Sequence, residues 1–276
     1  MARALAKNLQ EQWGQSVVVD NKPGAGGQIG TREVVAATDG QTFMVQSSSH
    51  AVNPALYKSL PYDVIKDLVD MALLATTPYV MVTAWSGPYK SVKALVDAAK
   101  ARPDGEPYAS AGVGSSTHLT AELFAQRAGV KMIHIPFKGS PDAIQDVAGA
   151  RSAFYMAPLP TVGGMLKDGK LTPIAVTSSA RVAALAGVPT LAESGYPGFS
   201  AALWVGFWGP ASTPPAVVTK VSAELAKALQ SAEVQEHYAR TGNEVRPMSQ
   251  PDFVRFVREE IESNKRLVHS AGIPLQ

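Results

Sequence analysis

The sequence predicts an α/β protein built as two domains, and three observations carry that prediction. Short apolar runs of strand length alternate with amphipathic helical patterns along most of the chain, which is the rhythm of βα units with mostly parallel sheets. Two proline-rich stretches, Arg102-Pro103-Asp104-Gly105-Glu106-Pro107 and Gly209-Pro210-Ala211-Ser212-Thr213-Pro214-Pro215, bracket the middle of that rhythm. Proline fixes the backbone and removes a donor, so both stretches are expected to be connectors. After the second, the pattern turns helical. The expected organisation is a discontinuous first domain, residues 1–103 plus 212–276, with a second domain, 104–211, inserted in it. Two chain crossings around an inserted domain make a hinge.

The elements follow in order. Ala4, Leu5 and Leu9 recur at helical spacing, so 2–13 is an amphipathic helix. Ser16-Val17-Val18-Val19-Asp20 is a strand, 28–37 a helix and 42–46 a strand. Further strands are predicted near 79–84, 107–110, 132–136, 153–156 and 172–177, with helices near 91–101, 116–128, 140–148 and 161–167. The run from Phe199 to Trp208 is too short to cross a bilayer and fits a buried strand. Thr213 can cap a helix with Pro214 in its first turn. Ser249-Gln250-Pro251-Asp252 opens the last helix, which aligns Phe253, Phe256, Val257, Ile261 and Val268. These tail helices are expected to pack back onto the first domain.

The chain has 276 residues, 46% of them hydrophobic and 17% charged, a globular composition with ample material for a core. A net charge of +2 gives no electrostatic footprint of a nucleic-acid binder. The absence of cysteine removes disulfides, thiol catalysis and thiolate metal sites from consideration. Met1-Ala2-Arg3-Ala4-Leu5 runs directly into the first helical pattern, without the apolar stretch of a secretory leader.

Two strand-to-helix loops carry the functional signal. One is Ser47-Ser48-Ser49-His50, the other Gly112-Val113-Gly114-Ser115-Ser116-Thr117-His118. Each puts small hydroxyl residues and backbone N–H groups where a helix begins, and a helix start of that kind binds anions. The second is equally what a plain helix cap looks like, with Ser115 or Ser116 as N-cap. His50 and His118 are ligand donors or polar helix-start residues; neither has a histidine partner at metal-binding helical spacing. His134, His237 and His269 read as structural or exposed. Lys138, in Ile135-Pro136-Phe137-Lys138-Gly139, sits at a strand end, either pairing with an anion or solvated. The glycine-rich segment Asn21–Gly30 follows a strand and opens a helix, but its spacing fails the dinucleotide and P-loop fingerprints. A tight turn with unusual dihedrals explains it better. Trp204, Phe207 and Trp208 suit a core strand. No nucleophile elbow, metal cluster or cofactor fingerprint is present, so the expectation is a protein that binds without catalysis, cofactor or metal.

Several segments, in order along nearly the whole chain, resemble the Bug family, the TctC-like substrate-binding proteins of tripartite tricarboxylate transporters. They are Val19-Asp20-Asn21-Lys22-Pro23-Gly24-Ala25-Gly26-Gly27, His50-Ala51-Val52-Asn53-Pro54 and Leu60-Pro61-Tyr62-Asp63. They continue through Ile135-Pro136-Phe137-Lys138-Gly139, the stretch Gly169 to Thr177, the stretch Val188 to Gly195 and the closing Ala271-Gly272-Ile273. The resemblance implies a type II periplasmic binding fold, two α/β domains with a ligand cleft between them. It implies a small carboxylate ligand, mono-, di- or tricarboxylate, held by loops that match Ser47, Ser49 and His50, the stretch Gly112, Val113, Gly114, Ser115, Ser116 and His118, and the Lys138-Gly139 turn.

It further implies a periplasmic monomer that delivers its ligand to the membrane subunits of a tripartite transporter. The alternatives are a ligand-sensing module for a receptor kinase and a cytosolic α/β enzyme acting on a carboxylate. Tyr155, among the implied ligand contacts, stands where many relatives carry an acidic residue. Relatives begin with a signal peptide and a first strand ending in a Pro- and Gly-rich loop; this sequence begins within the helix that follows. A sheet without that strand is expected to be less stable and to bind more weakly.

Overall fold

The computed structural model describes residues 1–22, 24–240 and 242–276. The chain forms two units. Unit 1 holds Met1–Thr76, Trp204–His269 and Ile273–Gln276; unit 2 holds Thr77–Leu203 and Ser270–Gly272. The chain passes between them inside strands: β2 (Leu68–Ala84) on the way out and β7 (Ala202–Pro210) on the way back. The sequence-predicted boundaries, 103/104 and 211/212, therefore fall elsewhere. The Arg102–Pro107 stretch is a turn inside unit 2, and Gly209–Pro215 leads from β7 into a helix of unit 1. Proline marks where a ladder ends, but an unbroken strand carries a chain across a boundary without any such mark.

In unit 2 the sheet order is β6 (Leu171–Val176), β2, β5 (Phe154–Pro158), β3 (Glu106–Ser110), β4 (Met132–Pro136). β3 runs parallel to β4 and β5, while β2 is antiparallel to β5 and β6. The mostly parallel sheet expected from the sequence is thus mixed. β2 arrives directly from unit 1 and not through a crossover helix, so the parallel rule for βα units does not bind it.

Alternation then assigns the faces. Tyr79, Met81, Tyr108, Phe154 and Met156 join one core with Leu95 of α4 (Val92–Ala101) and Phe124 of α5 (Ser116–Ala128). Val80, Val82, Ala109, Tyr155 and Ala157 join another with Ile144 of α6 (Ser140–Ala148) and Val162 of α7 (Leu159–Lys167). Both faces are covered, which is why these strands read as continuous apolar runs.

In unit 1, β1 (Met44–Ser47) pairs antiparallel with β7, which neighbours β2. One core joins Leu5 and Leu9 of α1 (Ala2–Trp13) to Phe207 and to Leu225 of α8 (Pro215–Gln230). The other joins Val34 of α2 (Gln28–Val35), Met44, Trp204 and Trp208 to Phe253, Val257 and Ile261 of α10 (Gln250–Ser270). The tail helices belong to unit 1, and Trp204 and Trp208 are core residues.

Two helices escape the periodicity. α3 (Ser49–Leu56) holds Pro54 and buries residues all round, and α9 (Ala232–Arg240) is short and polar. The predicted strand Ser16–Asp20 is irregular, and Val18 is 83% exposed. A strand forms only against a neighbour, and none pairs with this segment among the described residues.

Around the glycine-rich segment, Pro23 lies outside the described residues. Gly24, Ala25, Gly26 and Gly27 all have positive φ, as the tight-turn reading requires. A Cβ at Gly27 would stand 2.1 Å from the Gln46 side chain, so the turn lies directly against β1.

Gly206 shares the inner face of β7 with the two tryptophans. A Cβ there would stand 2.4 Å from the Trp208 ring and 2.6 Å from the Phe253 ring. Gly206→Ala is expected to destabilise unit 1 by about 1–3 kcal/mol through overpacking. Chemical denaturation checks this; unchanged midpoint and slope would show that the ring pair yields freely.

Candidate functional site

Unit 2 places its candidate residues where its parallel strands end. β3, β4 and β5 all point their carboxyl ends to one edge, and α5, α6 and α7 begin there. Ligands of open α/β sheets bind outside such an edge, because helix N-termini present unpaired N–H groups. Gly112–His118 joins β3 to α5 at this edge. Gly112 has φ 121° and Gly114 φ 75°, and a Cβ on Gly112 would lie 3.0 Å from the Phe137 carbonyl oxygen.

The loop spends most of its amides on itself. Ala111 N–H donates to Thr117 Oγ1 (3.0 Å), Gly112 N–H to Ser110 Oγ (3.0 Å), Gly114 N–H to His118 Nδ1 (3.3 Å) and Ser115 N–H to the Gly112 carbonyl (3.1 Å). Ser115 is the N-cap: its Oγ accepts the His118 N–H at 3.2 Å and donates to the Gly112 carbonyl at 2.7 Å. The amides of Val113, Ser116 and Thr117 find no acceptor among the described residues. Val113 is 40% exposed and Ser116 half-buried. Of the two serines, Ser115 is turned inward as the cap, and Ser116 stands beside the unpaired amides.

Tyr155 ties this edge together. Its ring is fully buried, and its hydroxyl meets Ser140 Oγ at 2.7 Å at the start of α6 and also engages Thr117 at the start of α5. Burial raises the Tyr155 pKa, so the hydroxyl keeps its proton. Gly139 caps α6 in extended geometry, and Lys138 before it is exposed.

In unit 1, Ser47 ends β1 and α3 starts at Ser49. Ser47 Oγ donates to Ser49 Oγ at 3.3 Å, and the Ser48 amide donates to the Trp204 carbonyl at 2.7 Å. His50 is fully buried against the Trp208 ring, 4.5 Å between centroids. Its ring therefore lies inside the unit, behind the serines and not beside them. Asn53 and Gln46 both donate to the Gly26 carbonyl at 3.3 Å, which joins the glycine turn to this loop.

Sequence reasoning missed the floor of the Gly112–His118 loop. The His118 and His134 rings stack 3.8 Å apart with 10° between planes, and Tyr108 stacks on His134 at 5.1 Å. His134 Nε2 meets Ser110 Oγ at 2.6 Å, and the Tyr108 hydroxyl donates to Glu122. The signal was register: Tyr108 pairs with His134 across parallel strands, and Ser110 lies two residues on, on the same face. The Ser110–His134 contact has the geometry of a nucleophile and its base, but Ser110 is wholly buried and meets no substrate.

Two grooves lie apart from all these residues. One of about 670 Å³ is lined by Met71, Leu73, Ala226 and Arg246 in unit 1, and one of about 600 Å³ by Trp85, Arg151, Met165 and Lys170 in unit 2.

Residues 1–273 match the profile of the tripartite tricarboxylate transporter family receptor. Protein BugT of Bordetella pertussis is 38% identical over 280 residues, covering 100% of this chain and 86% of that protein. Among solved structures, an R. palustris protein with adipate has a TM-score of 0.92 at 33% identity, covering 100% of this chain and 93% of that one. MatC from Rhodopseudomonas palustris with bound malate has a TM-score of 0.87 at 27% identity, covering 97% and 92%. The periplasmic binding protein BugD has a TM-score of 0.88 at 31% identity, covering 100% and 93%. The chain belongs to the tripartite tricarboxylate transporter receptor family, and its fold is the periplasmic binding fold with two α/β domains.

Two buried histidines, His50 and His118, and the half-buried His134 are expected to make the fold acid-sensitive. Burial lowers His50 to about 3, burial and then the neighbouring His134 lower His118 to about 3, and burial lowers His134 to about 4. An unfolded histidine titrates near 6.5. Between those values the unfolded chain binds more protons than the native one, so stability is lost as pH falls from about 6.5. Asp70, raised by burial to about 6, and Glu260, also raised by burial, oppose this, because the native state takes up their protons first. The histidines outnumber them and are shifted further. The melting temperature is expected to fall by more than about 5 °C between pH 7 and pH 5. The fall should be smaller in a His118→Asn, His134→Gln double variant. A flat or rising profile would contradict the burial of these rings.

Proposed function

We propose that this receptor captures a small carboxylate in the periplasm, without turning it over, for the membrane subunits of a tripartite transporter. The observation that carries the reading is the set of unpaired amides at the β3–α5 turn. Val113, Ser116 and Thr117 carry these N–H groups, with the Ser116 hydroxyl, at and just before the start of α5, and such a set stabilises a carboxylate without a lysine or arginine. The bound adipate and malate of two family structures support a dicarboxylate. A second carboxylate calls for further donors, and within unit 2 Lys138 and Gly139 add a cation and an open backbone at the start of α6.

The absence of catalysis rests on burial. Ser110 with His134 has the geometry of an activated nucleophile, but Ser110 is wholly buried beneath the loop.

Calorimetry with adipate, malate, citrate and acetate tests the assignment on the wild-type protein. A saturable response to at least one of them, unchanged ligand by NMR after prolonged incubation, and at least about tenfold weaker binding by Gly114→Val are expected; tenfold corresponds to about 1.4 kcal/mol. Gly114 has φ 75°, a conformation valine does not share, so the substitution reshapes the turn. Ser116→Ala is expected to weaken binding by about tenfold or more, since one hydrogen bond to a charged group is worth about 1.5–3 kcal/mol. Wild-type affinity in both variants would place the carboxylate elsewhere.

A further inference from the structure

The floor of the β3–α5 loop bears on which amides the loop can offer. A backbone N–H only donates, so the contact from Gly114 N–H fixes His118 Nδ1 as an acceptor, at 3.3 Å. His118 is then neutral, with its hydrogen on Nε2, which lies 4.0 Å from Glu122 Oε1 one turn along α5. The same Glu122 oxygen accepts the Tyr108 hydroxyl from β3. On the opposite face the ring is backed by His134 of β4, stacked at 3.8 Å. Glu122, Tyr108 and His134 are the titratable neighbours that face it, one on its own helix and two on the strands beneath. His118 is 4% exposed and Ser110 is fully buried.

Resting on the carboxylate reading above, we propose that His118 is the positioning residue of the binding loop. Its neutral Nδ1 takes the Gly114 amide inward and so fixes the turn in which the amides of Val113, Ser116 and Thr117 stay unpaired for the ligand. The stack on His134 holds the ring in that orientation. Without an acceptor at this point, Gly114 N–H is a buried donor with no partner, a state costly enough to make the turn rearrange. A rearranged turn no longer leaves the same three amides free. Protonation of Nδ1 would have the same effect, by setting one N–H against another. Burial, and then the neighbouring His134, lower the His118 pKa and keep that proton off at neutral pH.

Of the two substitutions that test this, one keeps the acceptor without the ring and the other keeps a ring without the acceptor. His118→Asn places an amide oxygen close to where Nδ1 stands, while His118→Phe keeps a ring to stack on His134 but accepts nothing. With adipate and malate at pH 7, His118→Asn is expected to bind within about threefold of wild type, and His118→Phe at least tenfold more weakly, with melting temperatures used to confirm that both fold. Amide hydrogen exchange needs no ligand. Gly114 N–H should be protected in wild type and His118→Asn, and should exchange at least tenfold faster in His118→Phe. Nitrogen-15 shifts of the imidazoles at pH 6 should show His118 Nδ1 without a proton.

Equal affinity and equal Gly114 exchange in the asparagine and phenylalanine variants would overturn the proposal, as would a proton on Nδ1. If wild type binds no carboxylate, the functional reading fails. The exchange and nitrogen shifts still decide whether His118 sets the turn.

Discussion

β2 is the constraint on which both units depend. It runs for 17 residues and is buried along almost its whole length. A strand buried on both faces must alternate between two cores and cannot slip by one residue without exchanging them. In its second half Tyr79 and Met81 enter the core of α4 and α5, while Val80 and Val82 enter the core of α6 and α7. That register sets β5, which pairs with Tyr79–Val82 and sends Tyr155 to the opposite face from Phe154 and Met156. β5 in turn sets β3 through Tyr108↔Phe154, and β3 sets β4 through Tyr108↔His134. The stack of Tyr108, His134 and His118 is thus fixed through a chain of pairings that begins in a strand distant from it in sequence.

The elements of unit 2 were legible because each is a short segment with its own punctuation. Ser91 and Ser115 cap α4 and α5 through their side chains, and Gly129 ends α5 in a left-handed conformation. The first half of β2 was not legible. It carries Asp70 among apolar residues, and Pro78 follows just past the midpoint of the strand, both of which argue against a central strand. The structure resolves the first conflict with a hydrogen bond from Trp208 Nε1 to Asp70 Oδ1 at 2.7 Å, between residues 138 positions apart. Local pattern cannot supply such a partner. The Val17–Val19 run shows the reverse failure. Its composition is that of a strand, but pairing is a property of two segments, and no neighbour completes it among the described residues.

The candidate site divides along the same line. The Gly-Ser turn before α5 was readable, because glycine at positive φ and serine at a cap are local requirements. Ser115 and Ser116 are neighbours with the same side chain, yet one closes the cap on the Gly112 carbonyl and the other stands beside the unpaired amides. Only the bonding of the whole loop tells them apart. His50 and His118 looked alike as histidines at helix starts. One ring packs on Trp208 inside unit 1, and the other accepts a hydrogen bond from the loop it follows. His134 read as structural or exposed; it is half-buried, and its contacts with Ser110 and His118 place it directly under the loop.

Counting donors shows what the proposed carboxylate site would offer without a charged side chain. From Ala111 to His118 there are eight amides, and five of them are consumed by Thr117, Ser110, His118, the Gly112 carbonyl and Ser115. Each of those five bonds stiffens the turn, so the remaining three are held in place before any ligand arrives. Preorganised dipoles need little reorientation when a charge approaches, whereas a flexible lysine gives up rotamer freedom and hydration to do the same work. The two stacked imidazoles fit this logic, since neutral rings support the turn without adding a counter-ion that would compete for the incoming carboxylate. What remains for selectivity is the distance between a ligand's carboxylates and the groups that flank them. In unit 2 these are the Ser116 hydroxyl, the exposed Lys138 and the extended backbone at Gly139, all placed by the ends of β3 and β4.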